Sequence, residues 1–499
     1  MSRETQEIIA FVLYLAVVLC VGVIFFLKSR KSMGGEKEYF LGGRKLNGWV
    51  AALSAGASDM SAWVLMGLPG SIYLYGMGQV WISIGLFIGT ILAWIFVAPR
   101  LRRFSIESND SITIPQYLTN RFKTNNRVLL VVCAIIFLVA YCIYAASSIV
   151  ACGDLFNTVF GFNKTWAMVG ATAIILLYTF LGGFNAVCWT DFIQGMLMLV
   201  ALMAVPIIAV FVMGGSNFAP VAEVVTTDNY YNFLSSGKFD WASIADILSG
   251  LGWGLGYFGM PHILVRYMSI RSEKEMKKSR VVGICWTGLI LLMASIVALV
   301  AHEYLGNLLG EGSQSLVFIE MVRDIMPAFI GGLLLSAILA ASMSTADSQL
   351  LTSASAFSAD VYKPILRKNA SNKEMLLVGR IVVAVISVIA LVIAMAPGTG
   401  GIMDLVSNAW GAFGAAFGPV ILLSLYWKRL TYAGALCGIV AGFAVDVIWL
   451  LCLSSTGIYE IIPGFIAGLV VAVVVTLITK KPSAEVEKLF DNACVKRED

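Results

Sequence analysis

The sequence predicts an all-α polytopic membrane protein with about thirteen transmembrane helices, and three observations lead to this prediction. First, 59% of the 499 residues are hydrophobic and only 13% are charged, whereas soluble domains carry about 25% charged residues. Second, the apolar segments are about 20 residues long, as a membrane-spanning helix requires, and a barrel strand would be about half that length. Third, lysine and arginine concentrate in every second connecting segment, as the positive-inside rule expects.

The predicted spans follow directly from the apolar segments. The first is predicted to be a retained helix rather than a signal peptide, because no small-residue cleavage pattern follows it. In chain order the thirteen spans cover residues 7–27, 48–75, 79–99, 128–152, 164–181, 188–213, 241–264, 281–303, 327–356, 376–396, 402–427, 432–453 and 457–479.

The distribution of basic residues tests the number of spans. If the N-terminus lies outside and the spans alternate, 30 of the 34 lysines and arginines fall in cytoplasmic segments, when the few at span edges are counted with the nearest segment. The other four are Arg3, Lys164, Lys238 and Arg323. One span more or fewer would destroy this bias, so we expect an outside N-terminus and a cytoplasmic C-terminus. The net charge of +4 then reflects membrane orientation rather than nucleic-acid binding.

Motifs typical of several other protein classes are missing from the sequence. The nine cysteines contain no C-x-x-C pair, and His262 and His302 lack metal-ligand spacing, so we expect neither a disulfide framework nor a zinc site. No P-loop, dinucleotide-binding fingerprint or nucleophile elbow occurs in a convincing context. We therefore expect no enzyme activity and no cofactor, and an ion gradient would have to supply the energy for any transport.

Two of the predicted spans contain segments that disfavour a continuous helix. The second span contains SAGASDMSAW (54–63), which combines small residues with the carboxylate of Asp59. A charge at the bilayer centre costs about 2.5–3.5 kcal/mol on insertion scales. The seventh span contains GLGWGLGYFGMPH (250–262), where each glycine costs roughly 1 kcal/mol and the proline about 3 kcal/mol in a helix. Alternatively, these glycines only permit close helix packing.

The positions of these two segments predict an inverted repeat. They lie five spans apart and so cross the membrane in opposite directions, as paired interrupted helices do at the midplane site of a transporter. We expect one transmembrane transporter domain over 1–499, with a five-plus-five core and discontinuous helices 2 and 7. Its predicted parts are a first helix and cytoplasmic loop (1–47), a first repeat (48–213), a second repeat (241–427), peripheral helices 12 and 13 (432–479) and a cytoplasmic tail (480–499).

The ninth span offers a set of uncharged oxygen ligands. It contains AASMSTADSQLLTSAS (340–355), in which Ser344 and Thr345 follow Ala341 by three and four residues. Residues at these spacings share one helical face, so the Ala341 carbonyl and the two hydroxyls can converge on one point. Such ligands suit a monovalent cation, because a divalent cation would want several carboxylates. The alternative is that the hydroxyls only bond back to their own helix.

Four longer motifs occur along the chain: LSAGASDMSAWVLMGLPG (53–70), GWGLGYFGMPHILVRYM (252–268), LLSAILAASMST (334–345) and WGAFGAAFGPVILLSLYW (410–427). Together they resemble the sodium/solute symporter family, and most of all its bacterial proline transporters. The resemblance runs from YFLGGR (39–44) to YEIIPGF (459–465) and so covers nearly the whole chain. It implies the leucine-transporter-like fold of that family, a five-plus-five inverted repeat within thirteen spans.

The resemblance also implies which residues form the binding sites. The positions that match the family's sodium ligands are Ala57, Met60, Ala341, Ser344 and Thr345, with Asp59 in a supporting role. The positions that match its substrate site are Ser61, Tyr144, Trp253, Tyr257 and Pro261, and Arg44 and Asp191 match polar positions of functional weight on the cytoplasmic side. From the residues alone, Asp59 could instead be a structural carboxylate satisfied by freed backbone amides, and the aromatic side chains could serve packing.

The function implied by the resemblance is sodium-coupled symport of L-proline, by alternating access across a bacterial cell membrane. The expected partners are L-proline, the sodium ion and the lipid bilayer, with no nucleic acid and no obligate protein partner. The alternatives are a sodium symporter of the same family for another amino acid, pantothenate or a sugar, and a sensor or channel on the same scaffold.

Two further aspartates lie in the predicted spans without a role in these sites. Asp347 is expected only to face a cytoplasmic vestibule, and Asp446 lies outside the predicted core without an assigned function.

Overall fold

The computed structural model describes residues 1–31, 36–181, 183–215, 218–224 and 228–495. Within these ranges the regular structure is helical, apart from an isolated bridge between Leu46 and Ile270. The all-α prediction is therefore confirmed. In chain order the α-helices are α1 (Arg3–Lys31), α2 (Glu36–Leu41), α3 (Gly48–Asp59), α4 (Leu68–Tyr75), α5 (Val80–Leu92), α6 (Ala98–Glu107), α7 (Ile114–Arg121), α8 (Val128–Phe160), α9 (Lys164–Leu181), α10 (Phe184–Met213), α11 (Trp241–Gly252), α12 (Pro261–Ser269), α13 (Glu273–Leu305), α14 (Val317–Ile325), α15 (Ala328–Ser355), α16 (Asn372–Met395), α17 (Ile402–Tyr426), α18 (Tyr432–Cys452), α19 (Ile461–Ile478) and α20 (Ala484–Cys494).

Short segments of other helical types extend or connect these helices. The π-helical segments are Trp63–Gly67, Ala93–Val97 and Ala356–Leu366, and the 3₁₀ segments are Gly42–Arg44, Met77–Gln79, Trp253–Phe258, Gln314–Leu316 and Ser454–Thr456. As a result the third predicted span is part of a longer helical segment, Met77–Glu107.

Ten helical segments in the described part of the chain are long and apolar enough to cross a membrane. Of the three other predicted spans, two are the interrupted ones, α3–α4 and α11–α12, and the third is the shorter apolar helix α9. The count of thirteen spans and the sides on which the two termini lie therefore stay predictions.

The second span is broken within the segment that the sequence predicts. Asn47 caps the N-terminus of α3, and this helix ends at Asp59. Met60 leaves helical geometry with φ −80° and ψ 74°, and the Ser61 amide folds back onto the Asp59 carbonyl at 3.0 Å. A π-helical segment, Trp63–Gly67, then leads into α4. Small polar residues offer the backbone such alternative partners, which explains why the helix stops here.

The seventh span is broken by a change of helix type. α11 ends at Gly252, the 3₁₀ segment Trp253–Phe258 follows, and α12 begins at Pro261. Proline has no amide hydrogen and is tolerated in the first turn of a helix, so the break precedes it. The close-packing alternative also holds, because a Cβ on Gly256 would lie 2.0 Å from the Trp410 indole nitrogen. The glycines of this segment both interrupt the helix and admit a neighbouring side chain.

The discontinuous helices lie inside the bundle. α3 packs against α10, α13 and α15, and the 3₁₀ segment of the seventh span packs against α5 and α17. α18 and α19 pack against each other and against α17, and most of α18 faces outward whereas most of α17 is buried. The fold with discontinuous helices 2 and 7 is confirmed, and the boundaries of the two repeats stay predictions.

Candidate functional site

Oxygen groups of α15 meet the C-terminal end of α3. The Ser344 hydroxyl donates to the Ala57 carbonyl at 2.9 Å and lies 3.1 Å from the Ala341 carbonyl of its own helix. The Thr345 hydroxyl lies 3.5 Å from the same Ala57 carbonyl. All four residues are fully buried. These oxygens are neutral and converge from two helices, so their chemistry fits a monovalent cation.

Met60, the remaining predicted ligand, lies in the break after α3. It is fully buried, and its amide donates to the Gly56 carbonyl at 2.8 Å. In a continuous helix the Val64 amide would bond the Met60 carbonyl, but it donates to Ser61 at 3.1 Å instead. The Met60 carbonyl is thus available for another partner. No hydrogen bond among the described residues joins Met60 to α15, so its part in an ion site stays a prediction.

Asp59 links the breaks of the second and seventh spans. Its Oδ2 accepts a hydrogen bond from the Tyr257 hydroxyl at 2.5 Å, and its Oδ1 is buried without a hydrogen-bond partner among the described residues. Its backbone carbonyl accepts from the Trp63 indole at 3.2 Å and from the Tyr144 hydroxyl at 3.4 Å. The carboxylate is therefore bonded to a phenol rather than to freed backbone amides. A nearby cation would stabilise a carboxylate in such a buried position.

Aromatic side chains surround the same two breaks. The Trp253 ring centroid lies 6.1 Å from that of Trp63 and 5.2 Å from that of Tyr459. The Trp253 carbonyl accepts from the Trp410 indole at 2.7 Å, and Tyr257 meets Trp410 edge-on at 5.3 Å. Three neighbours of the site were not predicted from the sequence, although each lies in a motif that carries the family resemblance: Trp63, Trp410 and Tyr459.

The predicted substrate residues are all buried around these breaks. Ser61, Tyr144 and Tyr257 lie close to Asp59: Ser61 is in the same break, and the two tyrosines bond to it. Trp253 and Pro261 stand at the two ends of the seventh-span break. Substrate binding by these residues stays a prediction, and packing stays the alternative.

Asp191 takes part in a buried ion pair that the sequence analysis missed. Its Oδ2 lies 2.9 Å from the Arg266 guanidinium and accepts from the Ser54 hydroxyl at 2.7 Å. The same guanidinium donates to the Ser54 hydroxyl at 2.7 Å and to the Ser348 hydroxyl at 2.5 Å. Arg266 is only 1% exposed, so it belongs to the interior rather than to a solvated loop. Asp347 is also fully buried, so the vestibule expected for it is wrong.

Arg44 bonds to several elements at the predicted cytoplasmic end of the bundle. Its guanidinium lies 2.8 Å from Asp110 Oδ1 and donates to the Ser111 carbonyl at 2.8 Å and the Met268 carbonyl at 2.5 Å. Partial burial acts to raise the pKa of the Asp110 carboxyl, but hydrogen bonds and charge from Lys37 and Arg44 outweigh burial and hold that pKa below its ordinary value. Arg44 therefore ties the turn after α2 to the α6–α7 connection and to the end of α12.

Comparisons with known proteins identify the family of this chain. Residues 39–442 match the profile of the Sodium:solute symporter family. The chain is 41% identical over 498 residues to the sodium/proline symporter of Escherichia coli (strain K12), with 99% of this chain and 97% of the relative covered. It is 40% identical over 488 residues to the osmoregulated proline transporter OpuE of Bacillus subtilis (strain 168), with 97% of each chain covered.

Solved structures share the fold. A Na⁺-coupled sialic acid symporter in a substrate-bound, outward-open state matches with a TM-score of 0.77 at 20% identity, over 96% of this chain and 99% of that one. At this identity the match shows the fold alone. The family profile and the near-full-length relatives establish the rest, and together they show that this chain is a membrane transporter, not an enzyme, and belongs to the sodium:solute symporter family.

Proposed function

We propose that this protein carries L-proline together with sodium into a bacterial cell, by alternating access across the plasma membrane. The similarity to full-length proteins named as proline transporters supports the substrate, and the family supports sodium as the coupling ion. One observation supports the mechanism: the end of α3 contacts both α15 and the seventh span. The Ser344 hydroxyl donates to the Ala57 carbonyl, and the Asp59 carboxylate accepts from the Tyr257 hydroxyl.

In this proposal sodium binds between α3 and α15. Its ligands are the carbonyls of Ala57, Met60 and Ala341 and the hydroxyls of Ser344 and Thr345. The Ser344 hydroxyl donates to a carbonyl in the present arrangement, but a hydroxyl also has two acceptor lone pairs, so rotation about its C–O bond can direct them to the ion. Asp59 adds a negative charge to the surroundings of this otherwise neutral ligand set.

The proline site in this proposal lies between the breaks of the second and seventh spans. The backbone groups freed at the two breaks suit the two charges of the zwitterion, and aromatic faces suit the pyrrolidine ring. The lining residues are Ser61, Tyr144, Trp253, Tyr257 and Pro261. Trp63 and Trp410 position Trp253 through ring packing and a hydrogen bond to its carbonyl.

Ion binding and substrate binding are coupled through Asp59 in this proposal. Sodium fixes the position of the end of α3. The Tyr257 hydroxyl, which donates to the Asp59 carboxylate at 2.5 Å, then restrains the seventh span relative to that end. Coupling between two bound ligands is reciprocal, so proline raises the affinity for sodium by the same factor. One net charge that crosses about 100 mV contributes roughly 2.3 kcal/mol, which corresponds to about 50-fold accumulation.

The polar contacts on the predicted cytoplasmic side hold the bundle closed in this proposal. The Asp191–Arg266 pair joins the second span to the sixth, seventh and ninth, and Arg44 joins the first connection to the end of the seventh span. Release of substrate and ion toward the cytoplasm therefore requires these contacts to rearrange. The proposal places the N-terminus outside and the C-terminus inside, with no obligate protein partner.

Uptake of labelled proline into proteoliposomes tests the proposed function. An inward sodium gradient should drive proline above its equilibrium distribution, and a potassium gradient of the same size should not. A panel of unlabelled amino acids, pantothenate and sugars tests the substrate, because a competitor that displaces proline at much lower concentration would reassign it. Flux that neither saturates nor accumulates would indicate a channel instead.

A further inference from the structure

A second group of carboxylates lies away from the proposed transport site. Asp446 is in α18, and Glu460 immediately precedes α19. Both are buried, with 1% and 8% of their surface exposed, although these helices lie at the periphery of the bundle. The proposed mechanism uses neither of them.

The two carboxylates converge beside the backbone of α17. A Cβ on Gly411 would lie 2.9 Å from Asp446 Oδ1 and 3.5 Å from Glu460 Oε1. Both oxygens are buried and have no hydrogen-bond partner among the described residues. α18 and α19 also approach each other closely here, because a Cβ on Gly464 would lie 3.0 Å from the Asp446 Cβ. Two unsatisfied carboxylate oxygens therefore point at the same place in the interior.

The helices around the pair supply no compensating positive charge. No lysine, arginine or histidine occurs in α17, α18 or α19. Tyr459, which directly precedes Glu460, is a further titratable group, and its hydroxyl donates to the Ser407 carbonyl at 2.7 Å. On the adjoining elements, Tyr144 of α8 bonds to the Asp59 carbonyl, and the Asp246 carboxylate of α11 is bonded to Ser235. The three helices around the pair thus contribute only neutral or acidic side chains.

We propose that Asp446 and Glu460 form a proton-binding site, in which one carboxyl stays protonated at neutral pH and donates to the other carboxylate. Two neighbouring carboxyl groups in a low-dielectric interior do not both ionise without a counter-charge, so the pair retains one proton. The shared O–H···O bond also satisfies the two oxygens that lack partners, which are costly to bury unbonded. At alkaline pH the O–H bond breaks, the proton passes to water, and the pair carries two negative charges.

This proton site is connected to Trp253 along two short paths. Gly411, which faces both carboxylates, directly follows Trp410, and the Trp410 indole donates to the Trp253 carbonyl at 2.7 Å. Glu460 directly follows Tyr459, whose ring centroid lies 5.2 Å from that of Trp253. Loss of the proton places mutually repelling charges on both segments that position Trp253. Alkaline pH therefore weakens substrate binding, a consequence that rests on the proposed function.

Infrared difference spectroscopy on the purified full-length protein tests the site itself and needs no transport activity. The probe is the carbonyl-stretch band of a protonated carboxyl, identified by its shift in D₂O. Wild type minus the double variant Asp446→Asn/Glu460→Gln should contain this band at neutral pH. The double variant has no carboxyl at the site and cannot hold the proton, whereas a single variant leaves one buried carboxyl that burial alone can keep protonated.

The matched control is Asp404→Asn, on the same helix as Gly411. The Asp404 carboxylate is exposed and accepts from the Gly401 amide at 2.7 Å, so its difference spectrum should lack the band. If the double variant does not fold, an alkaline titration of wild type, in which the band should disappear, gives the same answer. A band that is absent from the difference spectrum and from wild type at neutral pH would overturn the proposal, and so would carboxylate bands that move with sodium concentration instead of with pH.

Proline binding at saturating sodium then tests the connection to Trp253. Affinity should fall at alkaline pH in wild type and in Asp404→Asn, and should stay flat in Asp446→Asn/Glu460→Gln. If the band is present but affinity has the same pH dependence in all three proteins, the proton site stands and its coupling to the substrate site is rejected. If proline does not bind even to wild type while the band is present, the proposed substrate fails and the proton site still stands.

Discussion

α3 contacts α15 at two points, one through neutral groups and one through charged groups. At Ala57 the contact consists of neutral groups, a carbonyl and the hydroxyl of Ser344. Three residues earlier, at Ser54, the contact runs through the guanidinium of Arg266, which is already neutralised by Asp191. The first contact has no cation of its own and can accept one, whereas the second already contains its cation. In the proposed mechanism the same two helices therefore separate ion binding from the contacts that hold the bundle together.

The largest expected effect comes from unbalancing the charged contact. Arg266→Gln leaves Asp191 buried without its partner, and breaking a buried ion pair in this way costs about 3–5 kcal/mol. The free energy of unfolding in detergent should fall by that order. The double variant Asp191→Asn/Arg266→Gln removes both charges together and should lose clearly less. A single variant as stable as wild type would show that this pair does not hold the bundle together.

The neutral contact should respond to the charge beside it. Asp59→Asn keeps the shape of the side chain and removes its charge, which at about 5 Å and an effective dielectric of about 20 is worth on the order of 3 kcal/mol to a bound cation. The sodium concentration for half-maximal uptake should therefore rise strongly. Wild-type sodium dependence in this variant would remove Asp59 from the ion site.

The aromatic residues should separate substrate binding from packing. Tyr144→Ala and Trp253→Ala each remove a ring that the proposal places against the substrate, and should weaken proline binding by about 1 kcal/mol or more, with a smaller effect on sodium. Isothermal titration of each ligand measures both. The control is Phe137→Ala on α8, whose ring packs against Tyr141, Phe413 and Phe417. If Tyr144 and Trp253 behave like this control, they serve packing.

Local sequence patterns predicted the parts of the fold that depend on neighbours along the chain. The break of the second span falls within SAGASDMSAW, and the break of the seventh falls where Pro261 forces a new helix start. The common orientation of Ser344 and Thr345 follows from helical spacing alone, and both indeed reach the Ala57 carbonyl.

Contacts between distant segments were not predictable in this way. Asp191 and Arg266 lie on different helices, and the packing of α10 and of α12 against α3 brings them together. The pairing of Asp446 with Glu460 likewise depends on how α18 and α19 lie against Gly411. Arg266, a lone arginine beside an interrupted span, was the one signal in the sequence that could have pointed to a buried partner.

The hydroxyl variants change the fewest atoms, and they test the central claim most directly. Ser344→Ala and Thr345→Val each remove one proposed ligand with little change in volume, and should weaken sodium binding by about 1–3 kcal/mol. Ser336→Ala is the matched control, because this buried hydroxyl of α15 only bonds back to the Gly332 carbonyl at 2.8 Å.

The decisive measurement is proline affinity in purified protein as a function of sodium concentration, for wild type, Ser344→Ala, Thr345→Val and Ser336→Ala. Because coupling is reciprocal, proline affinity in the first two variants should fall at low sodium and recover as sodium saturates, while Ser336→Ala follows wild type. A loss of proline affinity that no sodium concentration restores would place these hydroxyls in the substrate site or the fold, and would contradict an ion site between α3 and α15.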